Sequence, residues 1–553
     1  IMKNCIIVNS VFSVANSFFQ DERRNGMTTS EGAHRFETDV VVVGGGGSGL
    51  AAAIEARSLG RRVVLLERNP KLGGSTSKSI GSITATNTPH QLKKGIRDCP
   101  DDHFEDMARF SAASKRVRES RYPIHDNTAL RRVFVDNVSD TFRWLMAMGV
   151  EFYGPLPEAP HRKPRMHNVL PNSGAYAYHL EKAARRAGVD IVTSARVKRL
   201  LVEQGAVVGV SCDTADGSVE YRARGGVVLT TGDFGGDPEM RTQYLSEGFT
   251  DIQPVNPDNA GDGHKMVMEL GGRIVHTGLH SAGIRFQPPP SSWITALPPQ
   301  RAFMRLVNWA METLPTWLLR PVVMSFLTTI LVPSPKLFKA GAVLINARGE
   351  RFLDELDSPS DTSTPVLAQQ PGKLAYVLLD GKLAEKFSQW PHYISTAPGF
   401  AYAFVSDYRR TRKDVFHEAP TLDALAGKIG ASPQTLTKTV SDYNASLASP
   451  GKAAGREPLD RGPFIAMGPV RHYLNFSDSG VAVDTRLQVL GPRDLPIPGL
   501  FAAGFIGMGG MLLEGHGHHI GWAFTSGRIA GRHAAYRVVT KDLESVPAAA
   551  GGA

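Results

Sequence analysis

Cysteine is scarce in this chain, and the scarcity excludes two classes of protein at once. Cys5, Cys99 and Cys212 are the only three among 553 residues, and they stand far apart. Thiols so few and so spaced build neither a disulfide framework nor a thiolate metal site, and they fit a reducing cytoplasm. Long apolar runs are lacking too. Arg301–Leu319 and Val322–Leu331 are apolar, but Pro321 interrupts them and Pro333 ends the second. That falls short of the ~20 residues of a bilayer span. Dense Lys/Arg blocks with interleaved aromatics are absent, so the formal charge of +9 does not point to nucleic acid. A basic surface also suits an anionic cofactor. What remains is an ordinary globular composition, 42% hydrophobic and 21% charged, long enough for two to four domains.

What is present begins at Val40–Gly49, Val-Val-Val-Val-Gly-Gly-Gly-Gly-Ser-Gly. Four β-branched residues predict a buried parallel strand. Gly44, Gly46 and Gly49 follow as G-x-G-x-x-G, with Gly47 and Ser48 between them. Leu50–Leu59 is predicted as a helix closed by Gly60, and Arg62–Leu66 as the second strand, ending on Glu67. In such a unit Gly44 permits the tight turn, Gly46 lets the backbone approach a pyrophosphate, and Gly49 allows helix and strand to pack closely. The helix N-terminus offers free N–H groups to phosphate. Glu67, 23 residues after Gly44, stands where a carboxylate accepts ribose hydroxyls.

The residues after the acid choose the dinucleotide. Arg68-Asn-Pro-Lys-Leu-Gly-Gly-Ser-Thr-Ser-Lys-Ser resembles a run in the flavoproteins grouped with fumarate reductase and 3-ketosteroid dehydrogenase. The resemblance recurs at Thr230-Thr-Gly-Asp-Phe-Gly-Gly, Ala260-Gly-Asp-Gly-His-Lys-Met, Leu344-Ile-Asn-Ala-Arg-Gly-Glu-Arg-Phe-Leu-Asp-Glu and Ile497-Pro-Gly-Leu-Phe-Ala-Ala-Gly. It implies an α/β fold: a Rossmann-like FAD-binding domain with an accessory β-meander and an inserted α+β cap domain. It also implies FAD as cofactor, held by Gly74, Ser75, Thr76, Val197, Thr231, Gly232, Asp262, Gly504, His519 and Ile520 together with the first glycines, Ser48, Glu67 and Arg68. Relatives that tether FAD carry His where Ser75 stands, so the cofactor is expected to be non-covalent.

By this analogy residues 36–281 and 462–553 form the FAD domain and 282–461 the cap. Residues 1–35 read as an extension foreign to the fold, with Met27 resembling a natural start. Helices are expected at Asn127–Met148 and Ala175–Ala187. A meander is expected at Arg196–Val202, Val207–Cys212 and Val219–Arg224, then a separate buried strand at Gly226–Thr231. Asp262 is expected to cap the helix His264–Leu270. The apolar segment 301–333 is read either as core helices of the cap or as a lid that touches lipid or a hydrophobic substrate, which makes peripheral membrane contact a second expectation beside a cytoplasmic location.

The chemistry turns on two further absences. Fumarate-reductase relatives hold a dicarboxylate with Arg and His and protonate it with an Arg. Neither Asp354-Glu-Leu-Asp-Ser-Pro-Ser-Asp-Thr nor the loop Gly507–Ile520 contains Arg. Ketosteroid dehydrogenases polarise a carbonyl with a backbone N–H and a Tyr, and remove the α-proton with a second Tyr while hydride leaves to flavin N5. Their loop aligns with Gly515–Phe524. The N–H donor falls on Gly517, but the tyrosine positions fall on Leu513 and near Ser360. The expectation is therefore an FAD-dependent dehydrogenase that introduces C=C next to the carbonyl of a hydrophobic cyclic ketone and passes electrons to an external acceptor. The alternatives are an alkene reductase resembling fumarate reductase, or an FAD-binding relative without turnover. Catalytic candidates are His516, Gly517, His518 and Tyr402, with Tyr393 and Asp361 behind them. Arg165 and His167 are read as approaching the flavin or tying cap to sheet. No metal site is expected: adjacent His518 and His519 would point different ways, and no carboxylate partner is specified.

Overall fold

The computed structural model describes residues 34–118, 120, 122–215, 217–288, 297–328, 332–355, 366–397, 401–449 and 455–544. The extension expected at 1–35, apart from its last two residues, and the positions Ser360 and Asp361 lie outside them.

Val40–Val43 are at most 5% exposed, and each such side chain contributes about 1.5–3 kcal/mol by leaving water. They end the strand His34–Val43, which is flanked in parallel by Val63–Leu66 and Gly217–Leu229. Asp190–Val192 extends the sheet at one edge, and Pro496–Ala502 and Gln488–Leu490 extend it at the other. Central parallel strands covered on both faces bury side chains on both, which is why Val40–Val43 and Val63–Leu66 read as apolar runs rather than alternations. The helix Gly47–Ser58 follows the first strand. The closing helix His518–Glu544 is pinned to it by ion pairs from Arg528 (2.9 Å) and Arg532 (2.5 Å) to the buried Glu55. This pairing holds the loop before His518 beside the first glycine turn.

The meander differs from expectation in its last strand. Val219–Arg224 and Gly226–Thr231 are not separate: one strand, Gly217–Leu229, pairs antiparallel with Ala206–Thr214 and in parallel with His34–Val43. Gly225-Gly226 imitates a turn in sequence. Gly226 instead answers a close approach, since a Cβ there would stand 2.4 Å from the Gly499 carbonyl oxygen of the neighbouring strand.

A second, six-stranded sheet centres on Phe464–Ser477, which pairs with His280–Phe286, Ala375–Leu379, Phe416–Ala419 and Gln253–Pro254. Its apolar cluster, from Phe286 to Val470, is distinct from that of the first sheet. The second sheet takes its central strand from residues after 461. Helices Arg301–Thr313 and Thr316–Leu327 follow His280–Phe286 in the chain. The break between them falls at Leu314-Pro315, and Pro321 sits inside the second helix. There the ring removes one bond just beyond the first turn, whose N–H groups have no intrahelical partner anyway. Among the described residues no helix is long and apolar enough to cross a membrane.

Candidate active site

The C-terminal edge of the first sheet opens into a cleft of about 700 Å³. One part of its lining is mostly backbone. Gly44, at φ +107°, leads into a helix whose N-cap, Gly46, gives its N–H groups no side-chain partner. Gly49 packs so closely that a Cβ would stand 1.8 Å from the Gly44 oxygen, whereas a Cβ on Gly46 would meet nothing within 4 Å. The cradle is therefore closed beneath and open toward the cleft, and its exposed N–H groups and helix dipole favour an anion. Glu67 lines the cleft with its carboxylate already oriented: Oε2 accepts from the Gly45 N–H (2.7 Å) and Oε1 from that of Asn69 (2.8 Å). Each oxygen keeps a lone pair for a ribose hydroxyl. These features fit a dinucleotide.

Gly47, Ser48, Arg68, Gly74, Ser75, Thr76, Val197, Thr231, Gly232, Asp262, Gly504, His519 and Ile520 all line the same cleft. Thr76 Oγ1 accepts from the Gly47 N–H at 3.1 Å, and Ser75 Oγ accepts from the amides of Asn256 (2.8 Å) and Asn259 (3.0 Å). Asp262 departs from its expected role. It is the first residue of the helix Asp262–Glu269, whose N-cap is Gly261, and its carboxylate pairs with Arg196 (2.9 Å) and Arg68 (3.4 Å). Two guanidiniums hold that carboxylate away from the helix end. Gly49 lies beneath the lining rather than in it.

The remaining lining is built from side chains of distant segments. His516 Nδ1 lies 2.5 Å from Glu158 Oε1, and the same carboxylate accepts the His516 backbone N–H at 3.1 Å. The His516 carbonyl accepts from Thr84 Oγ1 at 2.6 Å. Both ends of the residue are thus fixed, while its side chain stays 44% exposed in the cleft. The Glu158 hydrogen bond raises the imidazole pKa against the opposing effect of burial. Beside it, Arg116 reaches Asp478 and, at 2.5 Å, Glu514. Asp478 also pairs with His519 Nε2 at 2.8 Å. Burial alone would lift the Asp478 pKa, yet Arg116 and His519 bring it down to about 2. Gly517, Leu513, Ser281, Arg285, Val332, Thr396, Asn475 and Phe476 complete this part.

Other residues expected near the reaction are placed elsewhere. His518 is fully buried, its Nε2 3.0 Å from His103 Nε2 and its Nδ1 bonded to the Glu514 carbonyl. As the first residue of the closing helix it turns inward, away from the substrate side expected for it. Burial lowers its pKa to about 4. With His103 and His161 it forms a trio of ring nitrogens within 4.8 Å of one another. The Arg165 guanidinium lies 2.9 Å from His161 Nδ1, so a second cation would meet a positive neighbour. Tyr402 stands against Trp390 and Tyr393, and both tyrosines lie outside the lining. Arg165 and His167 are buried within the FAD domain. Arg165 is held by Asp98 (2.7 Å) and Asp106 (2.5 Å), and His167 by Thr88 (3.0 Å). Neither meets the flavin cleft or the cap, because two buried carboxylates and a buried hydroxyl hold them where they are.

The family described as FAD binding domain matches residues 39–289 and 300–512, most of the chain. The chain belongs to this family, and it binds FAD. It is 27% identical to a probable fumarate reductase, Ifc3, of Shewanella frigidimarina, over 91% of this chain and 76% of that protein. The solved open form of a flavocytochrome c3 fumarate reductase is similar at TM-score 0.68 and 25% identity, covering 95% of this chain and 81% of that one. A 3-ketosteroid delta1-dehydrogenase from Sterolibacterium denitrificans shares the fold at TM-score 0.61 and 18% identity, over 90% and 99% of the two chains. The protein is an FAD-dependent oxidoreductase acting on CH–CH groups.

Proposed function

We propose that the protein reduces a carbon–carbon double bond conjugated to a carbonyl group, with His516 as proton donor. The observation that carries this reading is the Glu158–His516 pair in the cleft. Bound FAD supplies hydride to one alkene carbon; everything else falls to this chain. The imidazolium, favoured by Glu158, gives its proton to the other carbon, so one C=C becomes one CH–CH. Gly517, the residue after the fixed His516, lines the same cleft, where a backbone N–H supports the charge that develops on the carbonyl oxygen. The two segments without Arg speak against a dicarboxylate; Arg285, which lines the cleft from the second sheet, leaves room for a single carboxylate. Similarity to enzymes named as fumarate reductases supports the reductive direction. Run backwards, the same groups desaturate a carbonyl compound, and Leu513 beside Gly517 keeps cyclic ketones as the second class to screen.

FAD is held without a covalent bond in this reading, since Ser75 offers only a hydroxyl. An anaerobic experiment tests the proposal. The flavin is photoreduced and mixed with conjugated and isolated alkenes. Conjugated ones are expected to restore the oxidised spectrum. His516→Ala should slow this by about 10²–10⁴-fold, the range of a general acid, at unchanged FAD content. Wild-type rates in that variant, or no reoxidation by any alkene, would refute the assignment.

The cap helix Arg301–Thr313 leaves Leu306 and Trp309 more than half exposed. An apolar face of this kind, flanked by Arg301 and Arg305, favours peripheral contact with an anionic lipid surface. Flotation with phosphatidylserine vesicles should recover the wild-type protein and lose Leu306→Ser/Trp309→Ser. Equal recovery of both would remove the membrane from the account.

A further inference from the structure

We infer that Arg285 seats the carboxylate of the substrate, and that the alkene is a monocarboxylic 2-enoic acid; this rests on the reductase reading above. Among the described residues the cleft is lined by five permanent cations, and four have an acid beside them. Arg68 and Arg196 share Asp262, Lys78 pairs with Asp258, and Arg116 is enclosed by Asp478 and Glu514. Arg285 differs. It lines the cleft from the strand His280–Phe286, its Nε is buried, and among the described residues nothing accepts a hydrogen bond from it. The residue opposite it in the sheet is Arg471, another cation. Burial lowers the Arg285 pKa, as expected of a guanidinium without a counter-charge. A planar donor fork in this state is matched by a carboxylate, which takes two parallel N–H bonds.

The neighbours place this cation on the substrate side. Ser281 of the same strand, Asn475 of the next, and Val332 and Thr396 of the cap line the cleft with it. They belong to none of the glycine segments that fit the dinucleotide. The charge count then limits the ligand to one carboxylate. Arg116 is spent on two acids, and Glu158 and Glu514 also line the cleft. A second carboxylate would face these acids with no further unpaired cation among the described lining residues, so a monoacid is preferred to a diacid.

The probes are trans-cinnamate, its methyl ester, fumarate and the saturated 3-phenylpropanoate. Titration of the oxidised holoenzyme with 3-phenylpropanoate, read as a flavin difference spectrum, measures binding without turnover. Arg285→Gln should weaken it at least tenfold, Arg285→Lys should restore part of it, and FAD content should stay unchanged. In reoxidation of the reduced enzyme, cinnamate should exceed both methyl cinnamate and fumarate, and Arg285→Gln should abolish the advantage over the ester. Unchanged 3-phenylpropanoate binding in Arg285→Gln overturns the inference, as does an ester that performs as well as the acid in the wild type. If instead the acid binds through Arg285 but no alkene reoxidises the flavin, the anion seat stands and the reductase reading fails.

Discussion

The two parts of the cleft are made in opposite ways. The glycine cradle is backbone, drawn mostly from a single strand–turn–helix, and its selectivity comes from where side chains are missing. The part around His516 is side chain, drawn from segments hundreds of residues apart: Arg116 from a short helix, Glu158 from a proline-rich turn, Arg285 from the second sheet, His516 from the loop before the closing helix. The difference teaches that such a protein keeps its cofactor site in local geometry and leaves its substrate site to tertiary assembly. In the first part Gly44 and Gly49 leave no room for a side chain; the character of the second part depends on which charges meet there.

The sharpest way to break the cradle is a side chain at Gly49. A Cβ there would lie 1.8 Å from the Gly44 oxygen, so neither helix nor turn can stay in place. Gly49→Val is expected to purify with under a tenth of the wild-type FAD and to melt well below it. Full flavin occupancy would show that the close packing is not what forms the cradle. Glu158→Gln addresses the other part with a smaller effect. Alkene reduction should fall roughly 10–100-fold while FAD remains bound. The pH dependence gives the sign: the Glu158 bond raises the His516 pKa, so the acid is lost as pH rises through that value. In the variant the loss should begin at lower pH. A pH–rate profile that does not move would detach His516 from the chemistry.

The smallest effect is expected behind the cleft, at His518. Its native pKa is near 4 and an unfolded imidazole titrates near 6.5. Between these values the unfolded chain binds a proton that the native state refuses. Stability is therefore complete above pH 6.5 and declines as pH falls toward 4, by about 3 kcal/mol when both values have been passed. Melting temperature should drop several degrees from pH 7.5 to 5, and less in His518→Gln. The same slope in both would place the acid sensitivity elsewhere.

Legibility followed the same division. Gly44, Gly46 and Glu67 line one cleft, because a βαβ unit dictates its own turn, and spacing along one chain becomes distance in space. The break expected between Arg224 and Gly226 is absent because Gly226 serves a close approach of two strands. His518 misled because alternation in an extended loop was assumed where a helix begins. Arg285 carried one available signal: a lone arginine in a run of small and apolar residues just before Pro288. Glu158 carried none, since a single glutamate in a proline-rich turn is ordinary. Arg116 and Asp478 are 362 residues apart, a pairing that no local pattern encodes.

The sequence by itself determined the dinucleotide fold, the position of the cradle and the flavin family. Those follow from steric and hydrogen-bonding rules that act within about thirty residues: valines that must be covered on both faces, glycines where a Cβ has no room, an acid at the end of the second strand. Only the tertiary structure decided which charges meet in the cleft. Whether an arginine is neutralised or free depends on what stands within about 4 Å of it. For Arg116 and Arg285 that is settled by how the cap's sheet and the closing helix come together.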